Sequence, residues 1–467
     1  LTQQALPQNF TGTRDWFGDD ERIRQGVIKV IREVYESFGF EPLSTPAIEY
    51  QHVLFRESGE TAQKVFDISI KTRGYDDLTK KRREKSLGLR YDHTVPLARV
   101  VAQHQRTLVL PYKRYAIGPV WRPEKPQKGR FREFYQVDFD TVGASSVSAD
   151  AEVIAVLCTA VNAVGIQNYS AVFNHRVLLD GMARALEAGN SEQVTEMLRS
   201  WDKLGKVEYQ EVPEKLAIVG LNKKQIERFL ATTEELKRVS GSNADIISAV
   251  RSMFKGKEVQ EGLSEIERLL EIVSAYQVVG DHLKFVPNLA RGFAYYTGPV
   301  FELVSHRSRN SFAGGGRFDH LIEALGGPDI PATGASFGLE RFVELIRTEG
   351  DIASQLNGVD VFVTIFSQNA EFIAKSSAVA ERLRSEGLRV ELYAGADSIG
   401  RQLAVADKKK IGVAIIIGPS EVSSGNATVK DLLAELVEKD KQSNQRTVSE
   451  EDLVRVVREI LTSQRGT

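Results

Sequence analysis

The chain has 467 residues, with 61 lysines and arginines against 63 aspartates and glutamates, for a formal net charge of -2. That length exceeds what one hydrophobic core usually supports and predicts two or three domains. The charge balance excludes a protein that is basic throughout and leaves any nucleic acid to local patches. A single cysteine, Cys158, excludes an internal disulfide and a cysteine-built zinc site. Within the apolar run AEVIAVLCTAV it reads as a small core residue. No apolar run approaches membrane-spanning length, and the opening LTQQALPQNF lacks the charged start and apolar centre of a secretory signal, so a soluble, cytoplasmic chain is expected. Because the chain starts at Leu1 rather than Met, a few residues are expected to be missing or processed.

From Asp19 to Phe38 the apolar residues Ile23, Val27, Val30, Ile31, Val34 and Phe38 recur at helical spacing, between two aspartates and Gly39. Pro42 and Pro46 then force an extended segment, FEPLSTPAIE, onto a sheet edge or bulge. A long helix followed by an edge strand can pair with its own copy across a two-fold axis. Residues 65–90 read as a hairpin whose loop carries KKRRE at 80–84, taken as a solvated loop tip. The pattern turns helical after Gly143 and, from Gly181 to about Tyr276, becomes a charged, mostly helical module with Ser264 and Glu267 as a capping box. Sheet character resumes at Leu283. Beyond a seam at 347–358, strands and helices alternate as a separate α/β unit.

Three stretches carry chemistry. The first is VWRPEKPQKGRFREFYQVDFD, which places Arg122, Arg130 and Arg132 around a turn containing Pro123, Pro126 and Gly129, between segments that alternate as strands do. A planar guanidinium grips phosphate oxygens bidentately, so this rim suits a nucleotide or a nucleic-acid backbone. On the second strand Gln136, Asp138 and Asp140 would line one side, and a solvated sheet face explains them as well as a site does. The second stretch is RGFAYYTGPVFE, from Arg291 to Glu302, where a strand would point Tyr295 and Tyr296 to opposite faces beside a fixed positive charge. The third is the glycine triplet Gly314 to Gly316, read as a tight strand-to-helix turn with Arg317 and Asp319 opening a helix. No GxxxxGK[ST] run is present, and the seven histidines show no zinc-ligand spacing.

In order and spacing these segments resemble a known family. GPVWRPEKPQKGRFREF resembles the second signature motif of class II aminoacyl-tRNA synthetases, GASFGLERF the third, and FGFEPLSTPAIE the first, the dimer-forming helix and strand. RGFAYYTG is similar to the signature of the histidyl-tRNA synthetases, Arg-Gly-Leu-Asp-Tyr-Tyr-Thr, and the likeness runs from about Phe10 to the C-terminus. The resemblance implies an α/β (α+β) protein with an antiparallel-sheet catalytic core over 1–180 and 281–347. A helical insertion at 181–280 and a C-terminal α/β anticodon-binding domain at 358–467 complete it. The implied reaction is ATP-dependent activation of L-histidine to histidyl-adenylate and transfer to the 3′ end of tRNA(His) by a homodimer.

The resemblance also implies roles. Arg122 would hold the α-phosphate of ATP while the histidine carboxylate attacks, Arg341 would lie along the triphosphate, and Glu124 would meet the adenine. Arg291 would reach the α-phosphate and the substrate carboxylate from the other side, with Mg2+ on the departing pyrophosphate and no dedicated protein metal site. Asp92, Thr94 and Gln136 match positions that grip the α-amino cation. Asp140 and Tyr296, with Tyr295 alongside, match positions that meet the imidazole, where a carboxylate can fix the ring tautomer. Lys125, Gln127 and Lys128 lie on a loop that resembles the one meeting the tRNA acceptor end.

Two departures stand in the histidine signature: Phe293 replaces Leu, and Ala294 replaces an acidic residue. Two other readings remain open on sequence alone. One is the histidine-sensing, synthetase-like regulatory subunit of ATP phosphoribosyltransferase, which generally lacks the anticodon domain and the motif arginines. The other is an RNA-binding pseudo-synthetase, for which only Ala294 speaks. Retention of Arg122, Arg291 and Arg341 favours the enzyme.

Overall fold

A computed structural model describes residues 7–54, 65–69, 86–126, 129–203, 211–291, 295–307, 311–349, 358–434 and 444–465. The chain forms two compact units, one of Leu1–Trp16 with Arg24–Gly350 and one of Phe17–Ile23 with Asp351–Thr467.

The long amphipathic helix is α1 (Asp19–Ser37). Val27, Ile31 and Tyr35 on its apolar stripe are fully buried, and the ring of Tyr35 lies 4.7 Å from that of Phe139. The chain continues through β1 (Glu41–Pro42), β2 (Ile48–Tyr50), α2 (Gln51–Leu54), β3 (Asp67–Ile68), β4 (Leu87–Leu89) and α3 (Thr94–His104). As the prolines require, β1 is the edge strand of the main sheet. The hairpin read at 65–90 is β3 against β4, with Asp67 opposite Gly88; the basic run at 80–84 lies outside the described residues.

The next pair, β5 (Tyr112–Trp121) and β6 (Glu133–Val142), runs antiparallel along its full length. Then come α4 (Val147–Ala163) and β7 (Tyr169–His175), with Cys158 fully buried in α4. The helical module is α5 (Arg176–Ala185), α6 (Ser191–Lys203), α7 (Glu211–Ile218), α8 (Lys223–Arg238), α9 (Asn243–Met253) and α10 (Lys257–Val273). Ser264 does not cap a helix: it lies inside α10, which begins after Gly256. Among the described residues of this module the capping boxes are Asn222 with Gln225 and Ser242 with Asp245, where a side-chain acceptor and the N3 residue meet at a true helix entry.

The chain returns to the sheet through β8 (Leu283–Phe285), β9 (Pro299–Ser305) and β10 (Ser311–Arg317), then α11 (Leu321–Ala324), β11 (Ala332–Gly338) and α12 (Leu339–Glu349). The eight strands run in the order β1-β5-β6-β11-β10-β9-β7-β8, antiparallel except at the two outer pairs. The glycine triplet is therefore not a turn but the interior of β10. A Cβ on Gly315 would stand 2.1 Å from the Gly334 carbonyl oxygen, and one on Gly316 would stand 2.6 Å from that of Pro299. Glycine is needed here for close approach of backbones.

The second unit alternates β12 (Val361–Val363), α13 (Ala370–Ser385), β13 (Val390–Leu392), α14 (Ile399–Lys408) and β14 (Val413–Ile416). It closes with α15 (Pro419–Ser424), β15 (Asn426–Asp431), β16 (Gln445–Ser449) and α16 (Leu453–Arg465). Its five strands run β13-β12-β14-β15-β16, parallel around β12 and antiparallel beyond β14. Val361, Val363, Val413 and Ile415 pack with Val379, Leu383, Leu453 and Val457 into its core.

Candidate active site

The face of β6 that carries Gln136, Asp138 and Asp140 is not solvated. Asp138 and Asp140 are as enclosed as Val137 and Phe139 on the opposite face. In the register of β11, Ser336 stands opposite Asp138 and Gly334 opposite Asp140. Ser336 donates its hydroxyl to Asp138 and accepts from Gln136 Nε2 at 3.1 Å. The other amide atom, Gln136 Oε1, is buried without a partner and is free to accept from a ligand.

Asp92 precedes α3 and accepts from the Val95 backbone N–H at 3.1 Å, while Thr94 is the first residue of that helix. Burial pushes Asp92 up to about 6; the Val95 N–H, Arg122 and Arg114 hold it down, and Asp138 pushes it up. Burial also raises Asp140 to about 7, opposed by Arg114 and assisted by Asp138 and Asp92. Three carboxylates, two enclosed and Asp92 half-buried, thus share one floor, and a ligand cation placed among them would favour their charged forms.

Tyr296 is 9% exposed, and burial raises its phenol above the ordinary value. The two tyrosines do not diverge to opposite faces. They precede β9 in irregular backbone, and their rings stack 4.3 Å apart. Gly292, Phe293 and Ala294 lie outside the described residues, as do Gln127 and Lys128.

The rim comes from the β5–β6 hairpin and from β10 and α12. Arg122 donates from Nε to the Tyr91 carbonyl at 3.0 Å, which ties the hairpin to the segment carrying Asp92. Arg130 pairs with Glu124, and Lys125 is exposed on the same loop. Arg132 serves differently from the rim position given to it by sequence. It donates to the carbonyls of Glu124 at 3.1 Å and Thr11 at 3.0 Å, so it holds the loop rather than facing a ligand.

Arg291 pairs with Glu302 and donates to Ser311 Oγ at 2.7 Å. Burial opposes its charge, but Glu302 and Tyr296 outweigh burial and leave its pKa raised. Arg341 donates to the carbonyls of Ser311 at 3.2 Å and Gly129 at 3.4 Å. Burial, then Arg130, Arg291 and Arg122, lower its pKa, which shows four guanidinium groups gathered within mutual electrostatic reach. Arg130 and Arg291 each have one carboxylate partner, yet the cluster keeps an excess of positive charge suited to polyphosphate.

Residues 12–342 match the family model for histidyl-tRNA synthetase, and residues 360–460 match that for the anticodon binding domain. The chain belongs to the histidyl-tRNA synthetase family. It is 37% identical to the histidine–tRNA ligase of Paracoccus denitrificans (strain Pd 1222), over 98% of this chain and 99% of that relative. It is 34% identical to that of Gloeobacter violaceus (strain ATCC 29082 / PCC 7421), over 92% and 95%. Among solved structures, histidyl-tRNA synthetase from Nostoc sp. PCC 7120 superposes with a TM-score of 0.78 at 26% identity, covering 98% of this chain and all of that one. Another similar structure, described as an ATP phosphoribosyltransferase regulatory subunit/histidyl-tRNA synthetase from Bacillus halodurans C, shares the fold at a TM-score of 0.70 and 22% identity. Full-length relatives named as ligases and the matched anticodon-binding unit disfavour the regulatory-subunit reading.

Sequence reasoning missed Arg114, Glu302, Ser311 and Ser336. Glu302 ends the quoted signature stretch and could have been taken as the partner of Arg291. The others carry no local signal, because their partners come from distant strands.

Proposed function

We propose that this chain is a histidine–tRNA ligase, with MgATP, L-histidine and tRNA(His) as substrates. The observation that carries the reading is Ser311: its hydroxyl receives Arg291 and its carbonyl receives Arg341, which also reaches Gly129 of the hairpin. Three segments far apart in sequence thereby converge beside the acidic floor.

Asp92, Thr94 and Gln136 receive the α-amino group, and Asp140 with Tyr296 and Tyr295 receives the imidazole. A carboxylate oxygen of histidine then attacks the α-phosphorus of ATP, and the bond to the bridging oxygen breaks, releasing pyrophosphate with its Mg2+. Arg122 and Arg291 stabilise the charge that builds on the α-phosphoryl oxygens, Arg341 aligns the triphosphate, and Glu124 meets the adenine. Glu302 and Ser311 aim Arg291. In the second step a hydroxyl of the terminal tRNA ribose attacks the acyl carbon and AMP leaves; Lys125, Gln127 and Lys128 belong to the loop that meets this acceptor end. A site that satisfies polar groups of the ring rejects analogues that leave them unpaired.

We assign residues 1–180 and 281–347 to the catalytic core, 181–280 to the helical insertion and 358–467 to the anticodon-binding domain. The parallel edge strand β1 and helix α1 support a two-fold pairing of copies. Among the described residues no helix is long and apolar enough to cross a membrane, and the proposed place of work is the cytoplasm. Histidine-dependent exchange of pyrophosphate into ATP, followed by charging of tRNA(His), tests the reading. Absence of exchange overturns it, and exchange without charging removes tRNA as the acceptor.

A further inference from the structure

Arg114 is the largest fully enclosed side chain among the described residues. It is the third residue of β5, directly opposite Asp140 on β6 and opposite Glu41 on β1. Its Nη2 lies 2.6 Å from Asp140 Oδ2 as an ion pair outside hydrogen-bond geometry, and donates to the His93 carbonyl at 3.0 Å. Its Nε and Nη1 are buried with no hydrogen-bond partner. Enclosing a guanidinium with two unmatched nitrogens is costly, and an apolar side chain of similar volume would serve packing better. The position of the group accounts for that cost. His93 separates Asp92 from Thr94, the two residues assigned to the α-amino end of the substrate. Asp140 is assigned to the ring end.

We propose that Arg114 is the positioning residue for substrate histidine: by holding Asp140 and the His93 carbonyl with one nitrogen, it fixes the spacing between the ring-reading and amino-reading poles of the site. This rests on the functional reading above, and Arg114 acts through Asp140 and the Asp92–Thr94 backbone without touching substrate. The charges support the geometry. Asp140 is faced by Arg114 from β5, Asp138 on its own strand, Asp92 before α3 and Tyr296 before β9, while Tyr35 from α1 acts on it only electrostatically, from the other face of β6. Burial, Asp138 and Asp92 all push its carboxyl up, and Arg114 is the group that holds it down. Without Arg114 the carboxyl takes its proton at higher pH and stops accepting from an imidazole N–H.

The test uses the full chain carrying Arg114→Gln or Arg114→Lys, with saturation by histidine and by ATP followed separately in pyrophosphate exchange from about pH 6 to about pH 9. For Arg114→Gln, KM for histidine should rise about tenfold or more while KM for ATP stays within about twofold. The pH below which histidine binding weakens should move up by about one unit or more. Arg114→Lys keeps the charge but loses the shared geometry, so it should restore the pH limb more fully than KM. If Arg114→Gln does not fold, as judged by its melting curve, Arg114→Lys decides. A folded variant whose KM for histidine and pH limb match the parent overturns the assignment of Arg114. Loss of exchange in the parent chain itself would instead overturn the functional reading.

Discussion

At the rim, Arg130 and Arg291 keep 45% and 39% of their side chains exposed, whereas Arg114 beneath the acidic floor is wholly enclosed. The rim cations are held through carbonyls, a hydroxyl and single carboxylates, and they crowd one another. The floor reverses this pattern, with Asp138 and Asp140 enclosed and Asp92 half-buried around one buried guanidinium. Crowded like charges are a binding device, stored until an anion relieves them. The floor is already neutralised in part, so its charges define a shape as much as they attract a ligand. Rim substitutions should therefore affect chemistry more than folding, and floor substitutions should affect both.

The sharpest way to break this contrast is Arg291→Ala. Removing a guanidinium proposed to meet the reacting phosphoryl group should slow adenylate formation by about a hundredfold to a thousandfold, about 3–4 kcal/mol of barrier. The melting temperature should change little, because the group is partly exposed. Single-turnover adenylate formation compared with circular dichroism melting checks both halves. Near-parental rate would remove Arg291 from the chemistry, and a collapsed melt would show that the rim is structural.

Gly334→Ala probes the floor without changing any charge. The added methyl would stand 2.1 Å from Asp140 Oδ1 and 2.6 Å from the Phe139 carbonyl oxygen. Overpacking of this kind costs about 1–3 kcal/mol, so the melt should fall and KM for histidine should rise about tenfold, with KM for ATP spared. An unchanged KM for histidine in the folded variant would show that Asp140 does not read the substrate. A smaller effect is expected from Arg132→Lys, which removes two carbonyl tethers from the hairpin loop but leaves a cation. KM for ATP should rise several-fold, about 1 kcal/mol, with the chemical rate retained. A rate loss as large as that of Arg291→Ala would return Arg132 to the phosphate-binding group.

Much of the fold is legible where one element buries one face. The stripe of α1 and the two prolines around β1 announce their places, and so do the hairpin and the strand–helix alternation after residue 358. The failures share a cause. Glycine carries no periodicity, so Gly314–Gly316 could not be told from a turn until β9 and β11 were found beside it. The alternation along β6 identified which residues share a face but not that both faces are covered, since Tyr35 covers one and Arg114 underlies the other. Ser264 and Glu267 have capping-box spacing, but the helix had already started after Gly256. In the site, the residues proposed to face the substrate were read from the resemblance, whereas the groups that pair with them lie on other strands. Arg114 within KRYAIG looks like any polar residue of an exposed strand.

The least perturbing prediction concerns a titrating group outside both rim and floor, and its sign is opposite to that of the floor carboxylates. His175 caps α5, its Nδ1 accepting from the Val177 N–H at 3.3 Å, a bond that requires the neutral ring. Burial, with Arg317 second, lowers it to about 4. A folded-state value below that of the free imidazole means that the unfolded chain binds the extra proton first. Stability from this group is therefore fully present above about pH 6.5 and falls as the pH drops towards about 4, by at most about 1.4 kcal/mol per unit. Asp140 and Asp92, raised to about 7 and about 6, work the other way: over the acid range the folded state holds their protons more tightly, and acid stabilises it. The contribution of His175 thus appears only as a difference between chains. Asparagine is a good N-cap and does not titrate, so His175→Asn should be nearly silent at neutral pH and should show a shallower acid decline in urea unfolding than its parent. Equal slopes in the two chains would mean that the ring at position 175 takes its proton without giving up the cap.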